Sequence, residues 1–596
     1  MPAQPNIIVV GGGLAGLASV IKIAEKGGHV DLFSIVPVKR SHSVCAQGGI
    51  NAAKNLKGEG DSTWQHFDDT IYGGDFIANQ PPVKDMCEQA PAIIDLLDRM
   101  GVPFNRTPEG LLDFRRFGGT LFHRTAFAGA TTGQQLLYAL DEQVRRYESE
   151  GRVTKHEHWE FLSAVIDGQR ICRGICAMDL HSMEVRTFPA DAVIIATGGI
   201  GAIFGKSTNS VVCTGSAQSA LYQQGCFYAN GEFIQVHPTS IPGEDKLRLM
   251  SESARGEGGR VWVPRNKDDH RDALSIPAAE RFYFLEEWYP KYGNLVPRDV
   301  ATRAIHKVVY ELGLGIDGQP MVYLDLTHID RAILDRKLEG ILEIYEKFVG
   351  DDPREVPMKI FPGMHYTMGG LWVDFKQQTN IHGLFACGEC EYQYHGANRL
   401  GANSLVSCIF GGFTAGPQAF NYAKGLAKSA AAVSSGAFDS ERKRQLEINS
   451  RLMTSDGNEN PFRLWRELGE LMTKNCTVIR YNDAMKQTDA KLVELLQRYQ
   501  HINLSDKSNW ANTSVAFARQ LFNMLQLARV IAQGGALRNE SRGAHYKPEF
   551  PERDDKNWLK TTKASFAPDA DEPKFEFEPV DTSLIPPRPR RYDIAT

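Results

Sequence analysis

The chain of 596 residues is 42% hydrophobic and 23% charged, and it carries a formal net charge of −5. This length exceeds one ordinary hydrophobic core and predicts two to four domains of roughly 150 residues each. The balanced charge gives no basic surface for nucleic acid, and no apolar run approaches the roughly 18 residues of a membrane-spanning helix.

The N-terminal segment and the cysteines both indicate an intracellular chain. The segment MPAQPNIIVVGGG lacks the basic region and the apolar core of a signal peptide. The ten cysteines are scattered along the chain, as is typical of reduced thiols in a cytosol. Cys387 and Cys390 form a C-x-x-C with no second pair or histidine cluster nearby, so we expect buried thiols rather than a metal site.

The first predicted unit is a strand, a helix and a second strand within residues 6–36. A β-branched apolar run precedes GGGLAG, a helical pattern follows, and a second apolar run closes the unit. The glycine turn forms G-x-G-x-x-G from Gly11, Gly13 and Gly16. Such glycines let the backbone approach a pyrophosphate at the N-terminus of the helix, where free N–H groups and the helix dipole favour an anion. We therefore predict a bound dinucleotide.

This fingerprint leaves the identity of the dinucleotide open. The acidic residue expected about 20 positions further on, which would hold the ribose, is replaced near the end of the second strand by Ser34. A serine still donates or accepts a hydrogen bond. The choice between NAD and FAD therefore depends on other segments.

Two later segments, at 191–201 and 383–390, are typical of buried strands that lead into glycine turns. They predict an α/β fold with a discontinuous, Rossmann-like nucleotide-binding domain. We assign residues 1–237 and 353–435 to this domain and residues 238–352 to an inserted α+β capping domain.

Beyond about residue 436 the sequence predicts helices. Apolar residues recur at helical spacing from Leu464 to Met472 and from Leu492 to Tyr499. We predict a helical bundle over residues 436–544. The polar, proline-rich stretch over 545–596 is predicted to be an extended tail on the surface or against a partner.

Five polar clusters beside glycine or proline are the candidates for chemistry: HPTS (237–240), SESARGEGGR (251–260), VPRD (296–299), MHYTMGG (364–370) and HGANRLGANSL (395–405). We expect their loops to converge on one cleft. Because a guanidinium group binds a carboxylate bidentately, two arginines and two histidines favour a small dicarboxylate.

Each of these side chains also has an ordinary structural explanation. A turn histidine is often simply hydrogen-bonded, and a lone arginine often forms an ion pair. Glu252 and Arg255, three residues apart, fall on one side of a helical turn and fit either a proton path or a structural salt bridge.

The motifs together resemble one family. They are RSHSVCAQGGI (40–50), HPT, E-x-x-RGEGG, RD, HYTMGG, HGANRLGANSL, and RGAH with FPERDD near the C-terminus. The chain resembles the flavoprotein subunits of succinate dehydrogenase and fumarate reductase, and it is most similar to the bacterial, Bacillus-like branch. The likeness extends from residue 11 to about residue 558, which is nearly the whole chain.

The resemblance implies a covalently bound FAD. In this family the histidine of R-S-H-(S/T)-V is bonded to the 8α carbon of FAD, which assigns that role to His42. The link fixes the flavin ring and makes it a stronger oxidant, as the oxidation of an unactivated CH₂–CH₂ group requires. The alternative is a loop histidine with no covalent bond.

Other roles follow from the same resemblance. The residues that would hold FAD are Gly11, Gly13, Gly16, Ser34, Lys39, Arg40, Ser41, Ala46, Gly48, Gly49, Thr197, Glu389, Ser404 and Leu405. Those that would hold the substrate carboxylates are His237, Ser251, His365 and Arg399. Arg298 would exchange the proton, with Glu252 and Arg255 relaying it to solvent. Because arginine ordinarily keeps its proton, this role comes from the resemblance alone.

The implied function is that of the flavoprotein subunit of succinate dehydrogenase, in respiratory complex II. The chain would oxidise succinate to fumarate by hydride transfer to FAD. It would pass electrons to an iron–sulfur subunit and then to quinone, through a membrane anchor with cytochrome b or quinone-reactive subunits. It would lie at the cytoplasmic face of the bacterial membrane, attached only through these partners.

Three alternatives remain open at this point. A fumarate reductase flavoprotein would use the same site in the reverse direction. L-Aspartate oxidase shares the fold but, as a family, holds FAD without a covalent link, so RSHSV argues against it. A structural flavin-binding subunit without turnover would not need all four of His237, Arg298, His365 and Arg399.

Two positions depart from the family pattern. Ser251 stands where many relatives have threonine, which keeps the hydroxyl. Ser216 stands where some relatives have an aspartate near the flavin, so we assign it no cofactor role.

Overall fold

The computed structural model describes residues 4–243, 246–433, 436–568, 570 and 572–592. Its helices are Leu14–Glu25, Thr63–Gly73, Gln80–Arg99, Thr132–Ser149, Ser216–Gln223, Ser253–Gly256, Phe284–Trp288, Arg298–His306, Arg331–Val349, Asn403–Lys424, Gly436–Thr454, Pro461–Asn475, Asn482–Tyr499, Thr513–Leu537 and Asp555–Trp558. Its strands are Asn6–Val10, His29–Ser34, Ile50–Asn51, Phe114–Arg115, Thr125–Ala126, Val153–Glu157, Trp159–Ile166, Cys172–Asp179, Val185–Pro189, Ala192–Ile195, Tyr228–Ala229, Ile234–Ile241, Arg248–Leu249, Arg260–Pro264, Arg281–Phe282, Val322–Asp325, Met358–Thr367, Gly370–Leu371, Leu384–Ala386, Lys560–Ser565 and Lys574–Pro579.

A five-stranded parallel sheet forms the centre of the nucleotide-binding domain. Its strands lie in the order Leu384–Ala386, Ala192–Ile195, Asn6–Val10, His29–Ser34 and Val153–Glu157. The middle strand is buried after its first residue, as expected where helices cover both faces of a parallel sheet. Because these strands come from distant stretches of the chain, the domain is discontinuous.

The first helix, Leu14–Glu25, packs against the long helix Asn403–Lys424 with almost no space between the backbones. A Cβ atom added at Gly412 would lie 2.4 Å from Ala15 O, and one at Gly416 would lie 2.7 Å from Ser19 O. Only glycine permits so close an approach. The two helices therefore present their N-termini to the same cavity, which both Gly13 and Ser404 line.

The inserted segment forms a unit around a six-stranded antiparallel sheet. The strands lie in the order Arg248–Leu249, Ile234–Ile241, Met358–Thr367, Val322–Asp325, Arg260–Pro264 and Arg281–Phe282. Helix Arg331–Val349 buries Leu334, Leu338 and Leu342, which share a hydrophobic core with Leu324 of the sheet. Because Ile234–Ile241 and Met358–Thr367 pair with each other, the chain enters and leaves this unit at neighbouring positions.

Four helices follow over residues 436–537 and pack onto the nucleotide-binding domain. The stripe predicted from the sequence is buried, with Leu464, Leu468 and Met472 all inaccessible to solvent. These side chains share one hydrophobic core with Ile203 and Phe204 of the nucleotide-binding domain. The helical region therefore supports one side of that domain instead of standing apart from it.

The tail contains more regular structure than its composition predicts. Lys560–Ser565 and Lys574–Pro579 form an antiparallel hairpin, and the first of these strands also pairs with Tyr228–Ala229. Further on, the backbone N–H groups of Leu584 and Ile585 donate to Gln80 Oε1, each at 2.9 Å. Polar strands such as KTTKAS give little hydrophobic signal, which explains why the sequence did not predict this hairpin.

These units confirm the predicted fold class: an α/β chain with a discontinuous Rossmann-like domain, an inserted α+β cap and a C-terminal helical bundle. Over the described part of the chain, no helix is both long and apolar enough to cross a membrane.

Candidate active site

One cavity of about 520 Å³ contains most of the residues predicted from the sequence. Its lining includes Gly11, Gly13, Ser34, Ser41, His42, Ala46, Gly48, Gly49, Thr197, His237, Ser251, Glu252, Arg298, His365, Glu389, Arg399, Ser404 and Leu405. The other four predicted residues are not part of this lining: Gly16, Lys39, Arg40 and Arg255.

Glycine backbone closes one end of the cavity, which we call the nucleotide end. Gly11 has a φ of +116°, and a Cβ there would lie 2.1 Å from Ala196 O. A Cβ at Gly16 would lie 1.8 Å from Gly11 O, so Gly16 acts from behind the turn by allowing the helix to pack against it. The helix Leu14–Glu25 begins directly after this turn. The arrangement suits a pyrophosphate held by helix N–H groups.

Buried polar atoms at this end lack partners that a ligand would supply. Ser41 Oγ and Thr197 Oγ1 have no hydrogen-bond partner among the described residues, and both residues line the cavity. Because buried polar groups are ordinarily hydrogen-bonded, the two hydroxyls fit a polar ligand. Ser34 Oγ donates to Val36 O at 2.5 Å, which leaves its lone pairs free to accept from a ribose hydroxyl. The residues present therefore fit FAD.

Glu389 is the buried carboxyl group of the nucleotide end. Its Oε1 accepts from the Thr367 backbone N–H at 3.1 Å. Burial raises the pKa of Glu389 to about 7. A Cβ at Gly199 would lie 2.3 Å from Glu389 Oε1, so glycine makes room for this carboxyl group. A carboxyl group that is partly protonated near neutral pH can donate to or accept from a sugar hydroxyl.

Two predicted cofactor residues lie away from the cavity. Lys39 Nζ lies 3.6 Å from Asp141 Oδ2 and 4.9 Å from the centre of the Tyr138 ring. Arg40 is exposed to solvent. Their side chains would reach a dinucleotide only by moving, so their cofactor roles remain predictions.

His42 lies at the wall of the cavity, in a short turn over His42–Cys45. The Ser210 backbone N–H donates to His42 Nδ1 at 3.2 Å, and Asn209 Nδ2 lies 3.4 Å from His42 Nε2. Burial, with a smaller effect of Lys246, lowers the pKa of His42 to about 4. The Ser210 N–H occupies the lone pair of Nδ1, so the buried imidazole is neutral and its single proton lies on Nε2.

The opposite end of the cavity, which we call the dicarboxylate end, contains two arginines that converge on one amide. Arg298 Nη1 and Arg399 Nη2 both donate to Gln235 Oε1, each at 3.0 Å. Gln235 Nε2 in turn donates to Asn398 Oδ1 at 2.9 Å and to Arg399 O at 2.8 Å. The amide thus separates two like charges and fixes the directions in which they point.

Two histidines complete this end. The rings of His237 and His365 meet edge to face, with their centres 4.9 Å apart. His237 Nδ1 accepts from the Thr239 backbone N–H at 3.2 Å, while Nε2 has no partner among the described residues. His365 Nδ1 lies 2.7 Å from Thr208 Oγ1. Burial, followed by the charge of Arg298, lowers the pKa of both histidines well below the usual value.

A chain of buried charges leads away from Arg298. Glu252 Oε2 accepts from Arg298 Nε at 2.9 Å, and Glu252 Oε1 accepts from Arg255 Nη2 at 2.7 Å. Burial opposes ionisation of Glu252, but Arg298 and Arg255 outweigh it and lower its pKa. Arg255 Nη1 donates to Asn294 O at 2.7 Å, where the chain becomes partly exposed. This sequence of contacts extends from the cavity towards solvent.

Ser251 and Arg399 present groups to the same end. Ser251 Oγ lies 2.7 Å from Ser253 Oγ, a contact in which either hydroxyl can donate. Arg399 stacks over the Tyr366 ring at 4.4 Å, and its Nε has no partner in the described part of the chain. Burial, followed by the charge of Arg298, lowers the pKa of Arg399 to about 9. Such a buried and partly unpaired cation favours an anionic ligand.

Several site residues were missed by sequence reasoning. Gln235 bridges the two arginines, yet it is an uncharged residue in an apolar strand. Its position two residues before His237 was a usable signal, because alternate residues of a strand share a face. Thr208, Asn209 and Ser210 contact two of the cavity histidines, His42 and His365, from a loop without a distinctive motif.

The chain matches two families of known proteins. The family described as FAD binding domain matches residues 6–405. The family described as fumarate reductase flavoprotein C-term matches residues 465–592.

Individual relatives match over their full length. The chain is 64% identical to the succinate dehydrogenase flavoprotein subunit of Bacillus subtilis, over 99% of each chain. It is 36% identical to the fumarate reductase flavoprotein subunit of Haemophilus influenzae, over 98% of this chain and 96% of that protein. A solved point variant of Escherichia coli quinol fumarate reductase superimposes with a TM-score of 0.91 at 32% identity and covers 100% of both chains.

Proposed function

The chain belongs to the family of flavoprotein subunits of succinate dehydrogenase and fumarate reductase, and we propose that it oxidises succinate to fumarate with FAD as electron acceptor. It is an FAD-dependent oxidoreductase that acts on CH–CH bonds. The observation that carries this function is the convergence of Arg298 and Arg399 on Gln235, in the same cavity as the glycine turn. The identity of 64% to a succinate dehydrogenase subunit, against 36% to a fumarate reductase subunit, favours the direction of oxidation.

When bound, FAD supplies a two-electron acceptor for the hydride that leaves the substrate. We propose that the glycine turn holds the pyrophosphate, that Ser34 and Glu389 hold sugar or ribityl hydroxyls, and that Ser404 and Leu405 lie near the ring. The unpartnered hydroxyls of Ser41 and Thr197 support this arrangement.

We further propose that His42 carries a covalent bond to FAD through Nε2. The Ser210 backbone N–H donates to Nδ1, and Nε2 has only the longer contact of 3.4 Å with Asn209 Nδ2. Nε2 is therefore the nitrogen that would form the bond, and it would lose its N–H proton as the N–C bond forms. The lowered pKa keeps the imidazole neutral, and only a neutral imidazole has the lone pair that a new bond needs.

The substrate carboxylates are proposed to bind to the dicarboxylate end. Arg399 offers its free Nε, His237 offers its free Nε2, and Ser251 and His365 lie on the same wall. Clamping both carboxylates fixes the C–H bond relative to the acceptor and removes much of the entropic cost of that geometry.

We propose that Arg298 takes the proton that leaves the substrate together with the hydride. Because the guanidinium is already protonated, it would pass one of its own protons to Glu252 in the same step. Glu252 orients the guanidinium through Nε and stabilises its charge, while Gln235 fixes Nη1. Arg255 continues the contacts to Asn294 O near solvent, which supports a proton relay from Arg298 through Glu252 and Arg255.

The inserted segment is proposed to close over the bound dicarboxylate. We assign residues 238–352 to this cap, residues 1–237 and 353–435 to FAD binding, 436–544 to the helical region and 545–596 to the tail. The cap contributes Ser251, Glu252 and Arg298 to the cavity, whereas His365 and Arg399 come from outside it. Closure would assemble the two sets and exclude water.

Electrons are proposed to leave through partner subunits. The relatives are named as subunits, which states that they work within larger assemblies. By membership of this family we propose an iron–sulfur subunit as the immediate acceptor. A membrane anchor would pass the electrons to quinone, with the chain held peripherally at the cytoplasmic face.

The test is turnover by the purified chain with artificial electron carriers. We expect succinate oxidation and fumarate reduction by the wild type, and no turnover of either dicarboxylate by Arg298→Ala, although that variant retains its flavin. Retained turnover in Arg298→Ala would overturn the proton-transfer role. Absence of both activities in the wild type would overturn the function.

A further inference from the structure

Near the end of the C-terminal tail, Arg590 forms an ion pair with Asp299, the residue that follows Arg298. Arg590 Nη1 donates to Asp299 Oδ2 at 2.5 Å, and Arg590 Nη2 donates to Asp299 Oδ1 at 3.0 Å. The two side chains are only 6% and 1% exposed. Burial opposes ionisation of Asp299, but the charge of Arg590 outweighs this effect. The pKa of Asp299 therefore lies below its usual value. A bidentate buried pair of this kind fixes both distance and orientation.

Asp299 and Arg298 lie together in the first turn of helix Arg298–His306. Their side chains leave the turn in different directions, because consecutive residues of a helix are rotated by about 100°. Asp299 contacts the tail, whereas Arg298 contacts Glu252 and Gln235 in the cavity. An anchor on Asp299 therefore also sets the rotation and position of the turn from which Arg298 extends.

A second contact strengthens this anchor. Arg303, one turn further along the helix, donates from Nη2 to Asp299 Oδ2 at 3.4 Å and from Nη1 to Gly543 O at 2.6 Å. Two residues from outside the cap, Arg590 and Gly543, thus contact this helix through Asp299 and Arg303.

The path of the tail ties this point to the FAD-binding domain. The Arg591 backbone N–H donates to Tyr72 OH at 2.6 Å. Tyr592 packs its ring against Tyr72 and Tyr292, with ring centres 5.6 Å and 5.1 Å apart. Since Tyr292 belongs to the cap and Tyr72 to the FAD-binding domain, the tail bridges the two units near the N-terminus of the helix Arg298–His306.

We propose that Arg590 is a positioning residue for Arg298. Through Asp299 it fixes the helix turn that directs the Arg298 guanidinium at the substrate. This inference rests on the proposed function, which it deepens by giving the tail a part in proton transfer. Loss of Arg590 would leave the buried Asp299 carboxylate with only the 3.4 Å contact to Arg303 as a counter-charge, and would let the turn shift. A shift near 1 Å at a reacting group costs about 10²-fold in rate.

The tail supplies a matched control. Arg588 also forms a bidentate pair, with Asp68 Oδ1 at 2.9 Å and Oδ2 at 2.5 Å. This pair joins the tail to the FAD-binding domain alone. Arg588→Gln therefore removes a second bidentate tail contact, one that is more exposed to solvent, without touching the helix that carries Arg298.

The experiment compares Arg590→Gln, Arg590→Lys and Arg588→Gln with the wild type, with succinate oxidation expressed per bound flavin. For Arg590→Gln we expect kcat to fall about 10- to 100-fold while KM changes less than about threefold, because the carboxylate-binding residues stay in place. Arg590→Lys keeps the charge and should recover most of the rate. Arg588→Gln should stay within about twofold of the wild type.

A double-variant cycle guards against simple misfolding. Arg590→Gln combined with Asp299→Asn removes both charges of the buried pair, and we expect its kcat to be no lower than that of either single variant. Equal per-flavin kcat in Arg590→Gln and Arg588→Gln would overturn the inference, as would a loss explained wholly by lower flavin content. If neither the wild type nor Arg588→Gln oxidises succinate, the proposed function itself fails.

Discussion

Carboxyl groups are buried at both ends of the cavity, but their pKa values shift in opposite directions. At the nucleotide end, burial raises the pKa of Glu389 to about 7 and that of its neighbour Glu391 to about 8. At the dicarboxylate end, Glu252 is even more buried, yet Arg298 and Arg255 outweigh burial and lower its pKa. Depth of burial therefore does not decide the charge; the guanidinium groups within reach do.

The difference corresponds to two ways of binding. The nucleotide end uses backbone, which approaches a ligand closely only where glycine permits it. The dicarboxylate end uses side-chain charges held in fixed directions by one amide and one carboxylate. We expect substitutions at the first end to affect flavin content and substitutions at the second to affect turnover.

Removal of the Glu252 charge should give the largest effect. Glu252→Gln leaves the guanidinium groups of Arg255 and Arg298 buried side by side without a counter-charge. We expect kcat to fall about 10³-fold, within the range of lost acid–base catalysis, while bound flavin stays near the wild-type level.

Steady-state assays on flavin-replete protein measure this effect. Glu286→Gln is the control, because Glu286 also pairs with a cap arginine, Arg260, but at the protein surface. Near-normal kcat in Glu252→Gln would contradict the view that turnover depends on the ion pairs of Glu252 with Arg255 and Arg298.

Gln235→Leu should lower turnover by about 10²-fold, the usual effect of losing one oriented hydrogen-bonding group in an active site. Leucine cannot accept from Arg298 and Arg399, so the two cations would repel each other and lose their directions. Succinate oxidation and flavin content should be measured on the same samples, so that turnover is expressed per bound flavin. Gln377→Leu, which removes another buried amide that bonds to Gln393, should leave kcat unchanged; equal losses in both variants would point to general destabilisation.

Gly16→Ala should act on the other end of the cavity. The added Cβ would collide with Gly11 O at 1.8 Å, and the glycine turn would have to move. Strain of about 1–3 kcal/mol corresponds to a loss of flavin affinity of about 5- to 150-fold. The flavin-to-protein ratio after purification is the measurement. Gly168→Ala meets no atom within 4 Å and serves as control; full flavin content in Gly16→Ala would show that the turn does not shape the site.

Glu391→Gln should change stability in a way that depends on pH. The pKa of Glu391 in the folded chain, about 8, lies above its usual value of 4.5, so its neutral form stabilises the fold fully below pH 4.5. That contribution is lost as the pH rises through 8. Glutamine does not titrate, so the variant should match the wild type near pH 4.5 and exceed its stability by up to a few kcal/mol at pH 9. Unfolding midpoints across this range check the sign, and a difference independent of pH would contradict it.

The sequence predicted the nucleotide end better than the dicarboxylate end. A glycine turn between a strand and a helix is a local pattern, and Gly11, Gly13 and Gly16 lie where the motif requires. The link between Arg298 and Arg399 is not local, because Gln235 joins side chains that lie 63 and 164 residues further along the chain. Gln235 also carries no charge to mark it. Its neighbour His237 was recognised only because it stands in HPTS.

Charge within a motif did not by itself predict which side chains line the cavity. Lys39 and Arg40 belong to the segment that leads to His42, yet Lys39 lies near Asp141 from the helix Thr132–Ser149 and Arg40 faces solvent. The tail was missed for a related reason. Its arginines suggested a solvated surface, whereas Arg588 and Arg590 form ion pairs with residues 520 and 291 positions earlier in the chain.

The most direct test of the account is the location of the flavin. We predict that acid-denatured protein keeps its yellow colour, and that the proteolytic peptide containing His42 carries the mass of FAD, while His42→Ser releases its flavin on denaturation. An unmodified His42 peptide, with all of the flavin free in the supernatant, would contradict a cofactor tethered between the glycine turn and the arginines.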